Sequence, residues 1–430
     1  MAQCLMTFGV IGSIEPSSLT TPGGIMHPGL PPHTPYLGTP VVFPPGQRPV
    51  SFFMRLSLKI VRIQLRRPPR IIEDRAAQMS AASPTTCTVG QTLCKIEQKR
   101  GERRRMDAES TAAEATSLKG AWMHKRYLDC SASELRSISK SDLLDALRAS
   151  EGRIVVSETI GAVQPLLQTV TNAELAASQG ADLLLLNMFD VDHPVIHGMP
   201  DGIEPDQLIH ALQHLTGRII GVNLEAVDPA LQRENSEFWA LREGRLATAE
   251  NAHKLVTLGA KFIVLTGNPG NGITNEAIHA SLRAIHAAVG EKAVLIAGKM
   301  HAAGVLSEGG ESILTHEDIA EFRAGGADIM LLPAPGTVPG ITLEYARDLI
   351  TSAHKTGAMT MTAIGTSQEG ASIETIRHIA LMCKMAGTDL HHLGDTGYIG
   401  MALPENIFAY SVAIRGVRHT YTRMARSVNR

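Results

Sequence analysis

The stretch Gln179-Gly-Ala-Asp-Leu-Leu-Leu-Leu-Asn187 decides the fold, because its pattern recurs three more times along the chain. The repeats are Leu258-Gly-Ala-Lys-Phe-Ile-Val-Leu-Thr266, Gly325-Gly-Ala-Asp-Ile-Met-Leu-Leu-Pro333 and Ala386-Gly-Thr-Asp-Leu-His-His-Leu393. In each of them a glycine follows a helical pattern, where a helix commonly ends in a left-handed residue. The apolar run that comes next shows no polar alternation, which is typical of a parallel strand buried on both faces.

Four further strands and a set of amphipathic helices complete the pattern. The additional strands are predicted over 153–158, 218–223, 293–298 and 358–364. The helices are predicted over 250–258, 276–289, 316–324, 343–355 and 373–385. Strands that alternate with helices predict a parallel sheet, and a count of eight strands favours closure into a barrel. An open doubly wound sheet, the alternative, would want a Gly-rich first turn, and Ser157-Glu-Thr-Ile-Gly161 is not one.

Two short helices precede the first strand. Ser131 and Ser139 resemble helix N-caps, each with an acidic residue three positions later. We expect these helices to close the N-terminal end of the barrel. The predicted fold is therefore α/β: a single (β/α)8 TIM barrel over 123–430, preceded by short helices.

Residues 1–122 have a different composition. Twelve of the 23 prolines lie before residue 70, and no helical or strand periodicity persists there. This predicts a disordered extension, which we interpret as spurious, with the protein proper beginning at Met123. A targeting segment is the alternative because 55–75 is Arg-rich, but no basic region, apolar region and cleavage site follow in that order.

Composition narrows the classes of partner. A net charge of -2 gives no strong field, so nucleic acid is not expected as a partner. The longest apolar runs, such as 181–188, are far shorter than the ~20 residues of a membrane helix. Five cysteines without a CxxC pair favour a reducing, cytoplasmic location. The expected partner is a small, phosphorylated substrate, and assembly into a homo-oligomer is left open.

Polar residues cluster where the predicted strands end, which is where (β/α)8 barrels carry their chemistry. They are Glu158, Asn187, Asp190, Asn223, Glu225, Thr266, Asn268, Lys299, His301, Thr366, Glu369 and Asp395. The N-terminal strand ends show no comparable set. Each residue alone could be a solvated loop group, but the whole set predicts a functional site.

Lys299, Glu225 and Glu158 are the candidate catalytic residues. Lys299 directly follows the fifth strand, where partial burial would lower its pKa and make it a base or an imine-forming nucleophile. It could equally pair with a glutamate or hold a phosphate by charge. Glu225 and Glu158 are the candidate general acids or bases, because a carboxylate in a dry barrel mouth can be tuned toward neutral pKa.

Two Gly-rich loops are the candidate phosphate-binding elements, since barrels often bind phosphate after strands seven and eight. Their candidate residues are Gly365, Thr366, Ser367, Gly394, Thr396 and Gly397, with Asn187, Asn223 and Asn268 expected to bind other parts of the substrate. Asp395 argues against a simple anion site and could hold a hydroxyl or a metal. A divalent ion such as Mg²⁺ therefore stays open as a cofactor.

Three other features receive structural interpretations. His391 and His392 lie in strand eight, so only one of them can face the barrel interior, and their spacing assigns no metal ligand. Asp190-Val-Asp192 imitates the first motif of haloacid-dehalogenase phosphatases, but His193-Pro194 follows it and we interpret the match as accidental. The five arginines of 415–430 are expected to form the solvated end of the last helix.

Five segments carry a resemblance to a known family. They are Met123-His-Lys-Arg-Tyr-Leu-Asp129, Arg148-Ala-Ser-Glu-Gly-Arg153, Thr171-Asn-Ala-Glu-Leu175, Leu186-Asn-Met-Phe-Asp190 and Ile414-Arg-Gly-Val-Arg418. They resemble a family of uncharacterised bacterial TIM-barrel proteins, whose members are labelled inconsistently as phosphoenolpyruvate-phosphonomutase-like or haloacid-dehalogenase-like. The resemblance implies a fold and a cytosolic bacterial setting over 123–430. It implies no reaction, and no catalytic residue is carried over.

Two hypotheses of different classes follow. The first is an enzyme that acts on a small phosphorylated carbonyl or sugar compound by acid–base, lyase or isomerase chemistry. The second is a non-catalytic barrel that binds a metabolite. The fold alone does not separate them, because barrels host many chemistries.

Overall fold

A computed structural model of the chain describes residues 125–228, 241–267, 272–302 and 309–430. The extension predicted over 1–122 lies outside these ranges, and so does Asn268.

The described chain forms a closed barrel of eight parallel strands in sequential order, as predicted. The strands are β1 Ile154–Ile160, β2 Leu183–Asn187, β3 Ile219–Glu225, β4 Phe262–Thr266, β5 Val294–Gly298, β6 Ile329–Pro333, β7 Met359–Ile364 and β8 Leu390–Leu393. Pairing of β8 with β1, in the register Val155–His391, closes the sheet. The open doubly wound alternative is thereby excluded.

Helices connect the strands and cover the outside of the sheet. Two precede the barrel, and one follows each strand: α1 Ala132–Ser137, α2 Lys140–Arg148, α3 Asn172–Ser178, α4 Leu208–Thr216, α5 Ala249–Thr257, α6 Asn275–Val289, α7 His316–Ala324, α8 Leu343–Lys355, α9 Ile373–Ala386 and α10 Pro404–Ala425. The predicted capping residues Ser131 and Ser139 do accept backbone N–H groups at the starts of α1 and α2.

The repeated motif performs one structural task at each occurrence. Its glycines take the left-handed conformation that ends the preceding helix; they are Gly180, Gly259, Gly326 and Gly387, with φ of 97–105°. In three of the repeats the aspartate then accepts the backbone N–H of the second residue of the neighbouring strand: Asp182 from Val155, Asp328 from Leu295 and Asp389 from Thr360. In these three repeats the aspartate therefore ties the helix-to-strand turn to the strand beside it.

Side chains of the strands alternate between two apolar cores. One lies between sheet and helices and includes Leu184, Val222 and Ile263. The other fills the barrel interior from below and includes Leu185 and Phe262, with Tyr127 and Leu135 of the N-terminal segment packed against it. As predicted, the short N-terminal helices pack against that end of the barrel.

The interpretation of the C-terminal arginines as a solvated helix end is wrong for two of them. Arg415 and Arg423 are buried and both pair with Asp182, the first with Oδ2 and the second with Oδ1 at 2.8 Å. Arg218 lies in the same cluster, and its burial lowers its pKa to about 9. The cluster fastens α10 to the first motif repeat. Sequence reasoning missed it because arginines at a helix C-terminus ordinarily face solvent.

Candidate functional site

A cavity of about 220 Å³ opens at the C-terminal strand ends. Its described lining includes residues from seven loops or strand ends, among them Glu158, Asn187, Asn223, Thr266, His301, Ser367, Glu369 and Asp395. We call this cavity the mouth. The sequence-predicted residues that it brings together are Glu158, Asn187, Asn223, Thr266, His301, Gly365, Ser367, Glu369, Gly394, Asp395 and Gly397.

Glu158 and His392 face each other across the β1–β8 seam. Glu158 Oε2 lies 3.3 Å from Nε2 of His392, and both side chains are buried. The geometry of this contact does not meet that of a hydrogen bond. Both ring nitrogens of His392 therefore lack a hydrogen-bond partner in the described chain. His391 points outward, where its Nδ1 lies 2.9 Å from the Tyr410 hydroxyl. As alternation predicts, only His392 enters the interior.

A chain of amide hydrogen bonds crosses the mouth. Asn223 donates from Nδ2 to Asn187 Oδ1 at 3.1 Å, and Asn187 donates from Nδ2 to Asp395 Oδ2 at 2.8 Å. The other oxygen of Asp395 accepts the backbone N–H of Gly397 at 2.9 Å. These bonds connect the ends of β2, β3 and β8, and they hold the Asp395 carboxyl in one orientation.

Two carboxyl groups of the mouth have altered acidity. Burial and, after it, the negative charge of Glu158 raise the pKa of Asp395 to about 7. Burial also raises the pKa of Glu369, and the charge of Glu158 adds to the effect. Like charges confined in a poorly hydrated space disfavour simultaneous ionisation. Asp395 is therefore about half protonated near neutral pH, as a general acid requires.

Several buried polar atoms of the mouth have no hydrogen-bond partner in the described chain. They are Asn223 Oδ1, Thr266 Oγ1, His301 Nδ1 and Glu369 Oε2. Burial lowers the pKa of His301 to about 4, so its ring is neutral at physiological pH. Unsatisfied buried polar atoms cost about 1–3 kcal/mol each, and a bound polar molecule would relieve this cost.

The loops after β7 and β8 use several of their N–H groups within the protein. Thr396 donates its N–H to Glu369 Oε1 at 3.0 Å, and Gly394 donates to the Ile364 carbonyl at 2.8 Å. The Thr366 hydroxyl donates to the Thr337 carbonyl at 2.8 Å. Phosphate binding by these loops stays a prediction. A phosphate there would have to share the N–H groups of the loops with the carboxylates of Glu369 and Asp395, which already accept some of them.

Glycine is required by close packing at one of the predicted positions. A Cβ atom at Gly365 would lie 2.1 Å from the Met300 sulfur, so a larger residue would displace a wall of the mouth. Ser367 lines the mouth with a left-handed backbone, at φ of 73°. Strained non-glycine backbone of this kind is concentrated at functional sites.

Glu225 and Lys299 are buried at the same end of the barrel, as predicted, but neither is among the described residues that line the mouth. Glu225 pairs with Arg245, and both side chains are buried. Lys299 lies close enough to His301 for its charge to lower the pKa of that histidine. Sequence reasoning missed Arg245, because it lies in a long loop 20 residues after its partner with no motif around it.

The described residues contain neither a metal-ligand cluster nor a membrane-spanning helix. Within the described ranges, no three His, Cys, Asp or Glu side chains are arranged to hold a metal ion. The Mg²⁺ prediction therefore has no ligand set among those residues and stays a prediction. None of the helices in the described part of the chain combines the length and apolar character needed to cross a bilayer.

Comparison with known proteins gives a family. The sequence profile of a domain of unknown function, DUF7916, matches residues 128–430. No curated protein sequence matches the chain significantly. This match confirms the predicted resemblance to an uncharacterised family.

Solved structures show similarity at low sequence identity. An archaeal fructose 1,6-bisphosphate aldolase has 14% identity and a TM-score of 0.41, over 62% of this chain and 95% of its own. A thiamine phosphate pyrophosphorylase from Pyrococcus furiosus has 11% and 0.35, over 61% and 96%. A 2,3-dimethylmalate lyase of the PEP mutase/isocitrate lyase superfamily has 16% and 0.36, over 60% and 81%. Similarities this low carry no argument about activity.

Proposed function

The chain belongs to the DUF7916 family, a domain of unknown function, and we propose that it is an enzyme performing acid–base chemistry in the mouth of its barrel. The substrate class is a small phosphorylated carbonyl or sugar compound, and the reaction class is lyase or isomerase chemistry. One observation carries the proposal: Asp395, with a pKa raised to about 7, shares the mouth with Glu158 and Glu369.

The two acid–base roles follow from the surroundings of each carboxyl group. Asp395 is oriented by Asn187 and is partly protonated near neutral pH, so it can donate a proton to a carbonyl or leaving oxygen. Glu158 on β1 lies next to His392 on β8, so it can take a proton from carbon or a hydroxyl.

Neutral polar groups supply the binding functions. Asn223 Oδ1 and Thr266 Oγ1 are available for substrate hydroxyl groups, and His301 presents a neutral ring to a carbonyl or hydroxyl oxygen. A polyhydroxylated or carbonyl compound of few carbon atoms matches this set and a space of about 220 Å³. Such a ligand would satisfy atoms that are otherwise buried without a partner.

Lys299 either takes part in the chemistry or contributes only its charge, whereas Glu225 is paired with Arg245. As a base or imine former, Lys299 would have to reach the substrate carbonyl from beside His301. Lys299→Arg keeps the charge but cannot lose a proton at working pH. Turnover abolished with binding retained would assign Lys299 to the chemistry, and borohydride trapping of substrate on Lys299 would make it the nucleophile. Near-normal turnover would leave it with a charge role.

The second candidate function is a non-catalytic barrel that binds the same class of metabolite. It is favoured by the same unpartnered polar atoms, which need a ligand but no reaction. It gives no reason for a carboxyl group poised near neutral pKa. The two candidates therefore differ in whether a bound compound is changed.

The test is a proton-exchange screen in D2O. The full chain is incubated with short ketoses, oxo acids and their phosphate esters, with Mg²⁺ or with EDTA, and ¹H NMR follows loss of the C–H signal next to the carbonyl. We expect exchange or conversion of at least one compound, reduced by about 10²–10⁴-fold in Asp395→Asn and Glu158→Gln. Glu344→Gln, an exposed carboxylate on α8, is the control variant. Binding of a compound, with no change in it, would support the binding barrel instead.

A further inference from the structure

A second cavity of about 390 Å³ lies beside the mouth, and we call it the side cavity. Asn187 lines the mouth, and the next residue, Met188, lines the side cavity. Its described polar lining consists of Asp190, His193, Arg242 and Arg245, which come from the loops after β2 and β3. The two cavities therefore adjoin at the ends of these strands.

The two cavities differ in charge. The described lining of the mouth contains three carboxyl groups and no lysine or arginine, whereas that of the side cavity contains two arginines and one aspartate. Arg245 is fixed by its pairing with Glu225. A ligand that extends across both cavities would place its uncharged polar part in the mouth and its anionic part beside the arginines.

Arg242 and Asp190 contact each other only weakly, so both groups could bind a ligand. Arg242 Nη1 lies 3.9 Å from Asp190 Oδ2, beyond hydrogen-bond distance, and the Arg242 side chain is 63% exposed. Asp190 is buried, and its Oδ1 accepts the N–H groups of Asp192 and His193. Its Oδ2 is buried without a hydrogen-bond partner in the described chain, and Asp190 is one of the residues that line the cavity. An anion on Arg242 with a neighbouring hydroxyl on Asp190 would use both groups.

The backbone between the cavities is also held in an uncommon conformation. Met188 is left-handed, with φ of 57°, and its N–H donates to Asn187 Oδ1 at 2.9 Å. The same Asn187 donates to Asp395 in the mouth. The conformation that places Met188 in the wall of the side cavity is therefore tied to the proposed general acid.

We propose that the side cavity binds the anionic group, a phosphate or a carboxylate, of the molecule whose reacting carbon lies in the mouth. The proposal rests on the proposed function, and it places this group between the loops after β2 and β3. Arg242 binds the anion, Arg245 adds positive charge while it remains paired with Glu225, and Asp190 accepts a hydroxyl next to the anion. Arginine suits this role because its planar donors match phosphate and carboxylate oxygens.

Calorimetric titration of the full chain with inorganic phosphate and, separately, with acetate tests the proposal. We expect saturable binding of at least one of them, weakened about tenfold or more in Arg242→Gln because a charge-assisted contact is lost. Arg347→Gln on α8 removes the same charge from an exposed outer-helix position and should bind as the wild type does. Phosphate binding that depends on Arg242 identifies a phosphate ester as the ligand, and acetate binding that depends on it identifies a carboxylate.

The proposal is overturned if neither anion binds at millimolar concentration, or if Arg242→Gln binds both as tightly as Arg347→Gln does. Glu158→Gln and Asp395→Asn separate this result from the proposed function. Both substitutions lie in the mouth, so they should leave anion binding intact even if they have no effect on any turnover. Loss of phosphate and acetate binding in these two variants, with binding retained in Arg242→Gln, would place the anion in the mouth and also overturn the proposal.

Discussion

Asp395→Asn should make the protein less sensitive to rising pH. The pKa of Asp395 is raised from 3.8 to about 7, so the folded protein holds a proton that the unfolded chain has already lost above about pH 4. Stability then falls as pH rises through this interval, because the folded state binds more protons than the unfolded state. The asparagine side chain has no such titration.

The size of the effect follows from the two pKa values. At 1.36 kcal/mol per pH unit, the full difference between 3.8 and about 7 corresponds to ~4 kcal/mol. The part lost between about pH 5 and pH 8 is ~2.6 kcal/mol. Because Asp395 is partly exposed to the mouth, solvent screening reduces this to about 2 kcal/mol. The wild type should therefore lose about 2 kcal/mol more than Asp395→Asn between about pH 5 and pH 8.

Urea unfolding followed by circular dichroism at about pH 5 and at about pH 8 measures this difference, and titrating groups that do not interact with Asp395 cancel between wild type and variant. Glu344→Gln, which removes an exposed carboxylate from α8, controls for the change in net charge. If the stability difference between wild type and Asp395→Asn is the same at both pH values, Asp395 does not ionise near neutrality and the assignment of the acid is wrong.

Three further predictions concern the scaffold. Asp182→Asn should lower the free energy of unfolding by about 3–5 kcal/mol, because buried arginines lose their counter-charge; a loss below about 1 kcal/mol in urea titration would contradict this. Gly221→Ala should cost about 1–3 kcal/mol, because its Cβ would lie 2.4 Å from ring carbons of Phe262, and an unchanged melting temperature would count against it. His391 has a pKa lowered to about 4 by burial, so stability should fall by about 3 kcal/mol as pH drops from 6.5 toward 4. His391→Gln should show little of this fall, and an equal fall in both proteins would refute the assignment.

The barrel could be predicted from the sequence because each repeat encodes a complete local unit. Gly180 ends a helix, Asp182 ties the turn to a neighbouring strand, and the apolar run after them is a strand buried on both faces. All of this information lies within nine residues. Alternation within a strand likewise predicted that one of His391 and His392 would enter the interior.

The site could be predicted only in part, because contacts between loops depend on register and loop geometry. The strand ends indicated Glu158, Asn187 and Asn223, and these three residues line the mouth. They did not indicate that Glu225 would pair with Arg245, since the intervening loop carries no periodicity. The electrostatic coupling of Asp395 to Glu158 was also not predictable, because it requires a distance across the closed sheet.

Asp395 is proposed to donate a proton in a mouth where burial and, after it, the neighbouring carboxylates raise its pKa. Once the D2O screen has identified a converted compound, the pH dependence of kcat/KM in wild type and Glu369→Gln tests this role. Glu369 raises the pKa of Asp395 by its charge, and it lies outside the proposed acid–base pair. We expect a wild-type rate that falls above about pH 7, and a fall displaced to lower pH in Glu369→Gln, with turnover retained. A descending limb at the same pH in both proteins would contradict this role.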